Sequence, residues 1–173
     1  AVRTRWVEST RREGAYEFIR KQVEEGRQAF IVCPLVEESE AIQSRAAVKE
    51  HERLSAQVFP DLRLGLLHGR MSLKDKELVM ERFQANDLDI LVATAVVEVG
   101  IDIPNASVML IDGADRFGLS QLHQFRGRVG RGKHQSHCLL LSDSQGEEAQ
   151  KRLKLLERVR DGFQLAEEDL KMR

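Results

Sequence analysis

The sequence has no excess charge of either sign: 27 Lys and Arg stand against 28 Asp and Glu, a net charge of -1. That excludes a histone-like or polybasic protein. It does not exclude a nucleic-acid partner, because binding needs a local patch rather than a global surplus. Long apolar runs are also missing. A membrane span needs roughly 18 consecutive apolar residues, and the best run, Ile90 to Val97, is far shorter. Ala1 to Arg12 contains no apolar signal-peptide core. Cys33 and Cys138 are isolated, with no C-x-x-C spacing, and both sit in apolar runs. Buried free thiols in a reducing, cytoplasmic compartment are expected rather than a disulfide or a zinc site. His123, His134, His137 and Cys138 have the wrong spacing for a metal and no carboxylate nearby. Neither G-x-S-x-G nor G-x-G-x-x-G occurs. The G-x-x-x-x-G-K-[ST] phosphate loop and the D-E-x-x pair are also absent. If the chain handles a nucleoside triphosphate, another domain must hold the phosphates and the metal.

What is present is a 42% hydrophobic chain of 173 residues, enough to bury a real core. Short apolar runs bounded by turn residues read as strands: Gln28 to Val32, Arg63 to Leu67, Asp89 to Ala93, Ser107 to Ile111 and His137 to Leu141. Val2 to Val7 alternates and suits an edge strand. Between them lie helical patterns over Thr10 to Glu25, Ser39 to Phe59 and Ser72 to Gln84. The last has Ser72 as its N-cap and groups Leu78, Val79, Met80 and Phe83. This rhythm predicts an α/β fold, a parallel sheet covered by helices on both faces, with working residues at the carboxyl ends of strands. After Leu141 a polar loop leads to a charged helix over Glu147 to Arg160, with Leu153, Leu156 and Val159 on one side. A second short helix follows from Phe163. Residues 1–145 are expected to form the α/β domain and residues 146–173 a helical appendage. The chain, starting at Ala1 and stopping within a helical or turn segment, reads as a piece of a longer protein.

Four groups of residues could carry chemistry. In Gln121 to Gly132, Arg126, Arg128 and Arg131 are interrupted by glycines, and no acid occurs between Gln121 and Gln135. Each glycine inside a helix would cost about 1 kcal/mol against Ala, so a helix end with arginines projecting from a turn is the better reading. Two guanidinium forks three residues apart suit a phosphate group; a solvated basic face is the plain alternative. Thr94 to Pro104 follows a predicted strand and offers the Thr94 hydroxyl and backbone N–H, Gly100, and the Asp102 carboxylate, which could equally be a mere helix cap. His68 and Gly69 follow the third predicted strand and precede a helix start, where phosphates bind well; His68 could also be an ordinary loop histidine. Pro34 follows the second predicted strand and could simply end it. All four groups are expected just after strands.

These residues resemble the motifs of superfamily 2 helicases. Gln124-x-x-Gly127-Arg128-x-x-Arg131 resembles motif VI, Thr94 through Asp102 motif V, and Gln28 through Pro34 motif IV. The fuller text HGRM, LVATAVVEVGIDIPNAS, GLSQLHQFRGRVGRG and DGFQLAEEDLKMR is similar to the carboxy-terminal RecA-like domain of the RecG family of branched-DNA helicases, with transcription-repair coupling factors as close relatives. The resemblance implies an ATP-dependent motor domain of a bacterial cytoplasmic protein. Arg128 and Arg131 would be catalytic arginine fingers. Gly100, Asp102 and Gln124 would join them at ATP. Pro34, His68, Gly69 and Thr94 would touch DNA, branched or forked, without sequence preference. ATP and Mg²⁺ would be held mainly by an amino-terminal RecA-like domain, and a wedge domain would grip the branch point. Residues 147–173 would start a translocation hairpin. A RecA-like module that only binds or docks is the competing reading.

Overall fold

The computed structural model describes residues 2–36, 39–95 and 103–159. Six strands form one sheet in the order β1-β6-β5-β2-β4-β3, every neighbouring pair parallel. They are β1 (Val2–Val7), β2 (Gln28–Val32), β3 (Leu64–Leu67), β4 (Ile90–Ala93), β5 (Ala106–Asp112) and β6 (Ser136–Leu141). The helices are α1 (Arg12–Glu24), α2 (Glu40–Arg53), α3 (Leu73–Gln84), α4 (Leu119–Arg126) and α5 (Glu147–Arg158). A π-helical turn, Leu54–Val58, extends α2.

Strand position follows composition. The continuous apolar runs of β2 and β4 are buried at every residue and lie inside the sheet. Alternating β1 lies at one edge, as expected. β3 departs from its expectation as a fully buried strand. It occupies the other edge and alternates between half-buried and buried, because Leu64 and Leu66 face the α1–α2 side, which covers them only in part, while Leu67 enters the opposite core. Arg63, expected inside β3, stands just before it, its guanidinium 2.8 Å from Asp89 at the start of β4.

The period of two divides the core. Phe30, Val32, Leu91, Ala93, Met109 and Ile111 face α3, α4 and α5. Ala29, Ile31, Ile90, Val92, Val108 and Leu110 face α1 and α2. On α3 the buried residues are Met80 and Phe83, three apart. Leu78, expected with them, falls off that stripe and is 55% exposed. Ser72 caps α3 as anticipated, its hydroxyl accepting the Asp75 N–H at 3.1 Å. Leu153, Leu155 and Leu156 of α5 belong to the same core as α3 and α4. Both cysteines are buried and free, and burial pushes each thiol up to about 12, so neither acts as a thiolate at neutral pH.

Candidate nucleotide and nucleic-acid sites

Because all strands run the same way, their carboxyl ends share one edge of the sheet. Pro34, His68 with Gly69, and Thr94 follow β2, β3 and β4, which are neighbours. The chain leaves these strands in register: Cys33 N–H donates to Ala93 O at 2.8 Å, and Thr94 N–H to Leu67 O at 3.0 Å. The Thr94 N–H, expected to be available, is thus used within the sheet. Its hydroxyl is different. Thr94 is 2% exposed, and Oγ1 has no hydrogen-bond partner among the described residues. An unmet buried hydroxyl costs on the order of 1–3 kcal/mol.

Helix α2 braces these loops. The buried Gln43 donates through Nε2 to Pro34 O at 2.9 Å and accepts the Val36 N–H on Oε1 at 3.0 Å. Gly69 lies against Glu40 so closely that a Cβ there would collide with the Glu40 side chain. His68 Nδ1 accepts the Arg70 N–H at 3.1 Å. Burial first, then the charge of Lys76, lowers the His68 pKa against the opposing pull of Glu40, so its ring is neutral at pH 7. Sequence reading missed Gln43. Its signal is the spacing of Gln43 and Ala47, which puts a lone amide on the buried face of α2.

The arginine pair lies elsewhere. After β5 the chain reverses along α4, so the segment beyond α4 returns to the amino edge of the sheet. Gly127 closes the helix, its N–H on His123 O at 3.0 Å, and a further turn places Arg128 N–H on Phe125 O at 3.0 Å. Val129 then plugs into the core. Gly130 takes φ +87°, which a side chain would resist, and packs on Val2 at the start of β1. A Cβ on Gly132 would strike the Pro104 carbonyl oxygen, just before β5. The expectation that all four groups follow strands therefore fails for this one. Its loop follows a helix and sits at the opposite edge.

Arg128 is half-buried, and no salt bridge reaches it among the described residues. Burial, then the nearby charge of Arg131, lowers its pKa. Arg131 is exposed, its Nε donating to Gly127 O at 3.2 Å. Gln124 is exposed on α4. The loop thus presents two adjacent guanidinium groups. Arg126 does not join them. It is 4% exposed and donates to Leu156 O at 2.8 Å and Thr4 Oγ1 at 3.3 Å, tying α4 to α5 and β1. The spacing of Leu119, Leu122 and Arg126 on one helical face is the signal that separates it from the pair. Gly100 and Asp102 lie outside the described residues. Among the described residues, no three metal-ligating side chains come together, and no helix is long and apolar enough to cross a membrane.

Residues 12–133 match the helicase conserved C-terminal domain. The chain is 48% identical over 172 residues to the ATP-dependent DNA helicase RecG of Synechocystis, covering 99% of this chain and 21% of that protein. Against RecG of Thermotoga maritima the identity is 51%, over 99% of this chain and 22% of that one. A structure of RecG bound to a three-way DNA junction matches with a TM-score of 0.85 at 48% identity, covering 99% of this chain and 22% of its own. Domain 2 of the DEAD-box helicase Mss116p, bound to an RNA duplex, matches at 20% identity with a TM-score of 0.68. It covers 92% of this chain and 61% of its own, and shares the fold alone. The chain spans about a fifth of the length of the RecG proteins it matches. The parallel sheet flanked by helices is thus the RecA-like fold of helicase carboxy-terminal domains, and the chain belongs to the helicase conserved C-terminal domain family.

Proposed function

We propose that this chain is the second motor domain of an ATP-dependent DNA helicase that remodels branched DNA in recombination and repair. The observation that carries the reading is the Arg128–Arg131 loop. A half-buried arginine without a carboxylate, held beside a second arginine, is a costly arrangement unless an anion completes it. A triphosphate bound to a neighbouring RecA-like domain is such an anion, and its hydrolysis would supply the free energy for movement. Arg128 and Arg131 would stabilise charge on the transferring phosphoryl group once the two domains close. Gln124, Gly100 and Asp102 would line the same cleft. Mg²⁺ would be held by the neighbouring domain. Pro34, His68, Gly69 and Thr94 would follow a DNA backbone without reading sequence. The unmet Thr94 hydroxyl supports this role, since a phosphate oxygen would accept from it. Residues 146–173 would begin a hairpin that transmits the motion, and a wedge domain would hold the branch point.

In the full-length protein, Arg128→Ala or Arg131→Ala is expected to lower DNA-stimulated ATP hydrolysis by about 10³–10⁵, with ATP affinity within a few fold. Near-normal turnover in both variants would remove the finger assignment.

A further inference from the structure

On one face of the sheet α1 lies over β2 and β5, and α2 over β3 and β4. Among the described residues, no helix lies over the β1–β6 end of that face beyond the flank of α1. That end forms a groove of about 1240 Å³ between β1 and α1. Arg3 and Arg5 stand on it from alternate positions of β1, in register with His137 and Leu139 of β6, and Arg11 closes one end. All three arginines are exposed, and none forms a salt bridge among the described residues. Two carboxylates share the lining. Glu157, which also accepts the Trp6 backbone N–H at 2.8 Å, and Glu8 stand against three guanidinium groups, which leaves the lining net positive. The floor is aromatic: Phe18 and His137 meet edge to face with ring centroids 4.7 Å apart. Burial, then the charges of Arg3 and Arg5, lowers the His137 pKa, so the ring is neutral at pH 7.

Arg3 and Arg5 are separated along the strand by about 6.6 Å, a spacing close to that of successive phosphates on an extended nucleic-acid strand. An acidic protein segment would use the charges alone. A single strand of nucleic acid uses both the charges and the aromatic floor, since bases stack on rings while arginines track the backbone. The groove is also remote from the loops after β2, β4 and β3. Four inter-strand steps, about 19 Å, separate β1 from β4.

We propose that the β1–α1 groove is a second nucleic-acid contact, gripping a single-stranded segment other than the one reached by Pro34, His68 and Thr94. The inference rests on the reading of the chain as a DNA motor domain. In the full-length protein, Arg3→Glu with Arg5→Glu is expected to weaken binding of a fluorescein-labelled fork with a single-stranded arm by about tenfold or more. The slope of log Kd against log salt should fall by about 1.4, two contacts at about 0.7 each. Arg3→Lys with Arg5→Lys should keep the slope. So should Arg45→Glu with Lys49→Glu, an equal charge change on exposed positions of α2. Benzoylphenylalanine in place of Phe18 should crosslink to the single-stranded arm, which decides the matter even if the double glutamate variant misfolds. An unchanged slope in the folded glutamate variant, or a Phe18 crosslink to protein instead of DNA, overturns the proposal. Wild-type protein that binds no fork at all would instead sink the motor reading.

Discussion

The two edges of the sheet handle charge in opposite ways. At the carboxyl edge the half-buried cation is answered. Arg12 is held by Asp112 at 2.7 and 3.0 Å, which raises its pKa, and Tyr16 links Arg12 to Arg53. The polar groups there that point toward function are uncharged: a neutral His68, backbone turns, and the Thr94 hydroxyl. At the amino edge, Arg128 and Arg131 sit side by side, and burial lowers the pKa of Arg128. Braced, uncharged contact groups suit a surface that would release and rebind, whereas adjacent like charges suit one strong anion. The motor role proposed above would use both.

The largest expected effect separates the edges. Arg128→Ala should abolish ATP turnover yet leave fork affinity unchanged, while Thr94→Val should weaken fork binding and leave ATP affinity unchanged. Equal damage to both readouts from either variant would erase the distinction. Thr94→Val should also leave the unfolding free energy equal or slightly higher, by up to about 1 kcal/mol, since it removes an unmet buried hydroxyl.

Next comes Arg126, the arginine that belongs to neither edge. Arg126→Ala strips its hydrogen bonds and leaves the Leu156 carbonyl unpaired, so a loss of about 2–4 kcal/mol is expected in urea unfolding. A variant as stable as wild type would mean that α5 docks without it. Gly130→Ala should lose about 1–2 kcal/mol from the left-handed backbone alone. It should lower ATP turnover more than fork affinity, because the turn that aims Arg128 and Arg131 is strained.

The smallest effect is pH-dependent. The folded pKa of His68 lies below its unfolded value of 6.5. Below that value the unfolded chain takes up a proton that the fold resists, so stability falls as pH drops through about 6.5 toward the folded pKa. His68→Gln should flatten that decline, as measured by thermal unfolding between pH 7 and pH 5. An identical decline in the variant would shift the effect to another group, His137 first, whose pKa is lowered in the same direction.

Much of this was legible in the residues. Continuous apolar runs marked β2 and β4 as interior strands, alternation marked β1 as an edge, and Ser72 announced its cap, because those signals depend only on neighbours along the chain. The arginine loop was legible as chemistry but not as a place. Its glycines and lack of acids pointed to an anion, yet only the reversal of the chain along α4 carried it to the amino edge. Arg126 looked like its neighbours because charge is visible in a sequence and burial is not. The same holds for Gln43 and Thr94, whose roles depend on what packs around them.

The class of fold, the order of its elements and the residue types proposed to do the work could be read along the chain, since periodicity and side-chain chemistry are local properties. Packing in three dimensions set which arginines face outward and which edge each group occupies. Those outcomes follow from parallel crossovers that bring distant segments together, and no stretch of the chain encodes them alone.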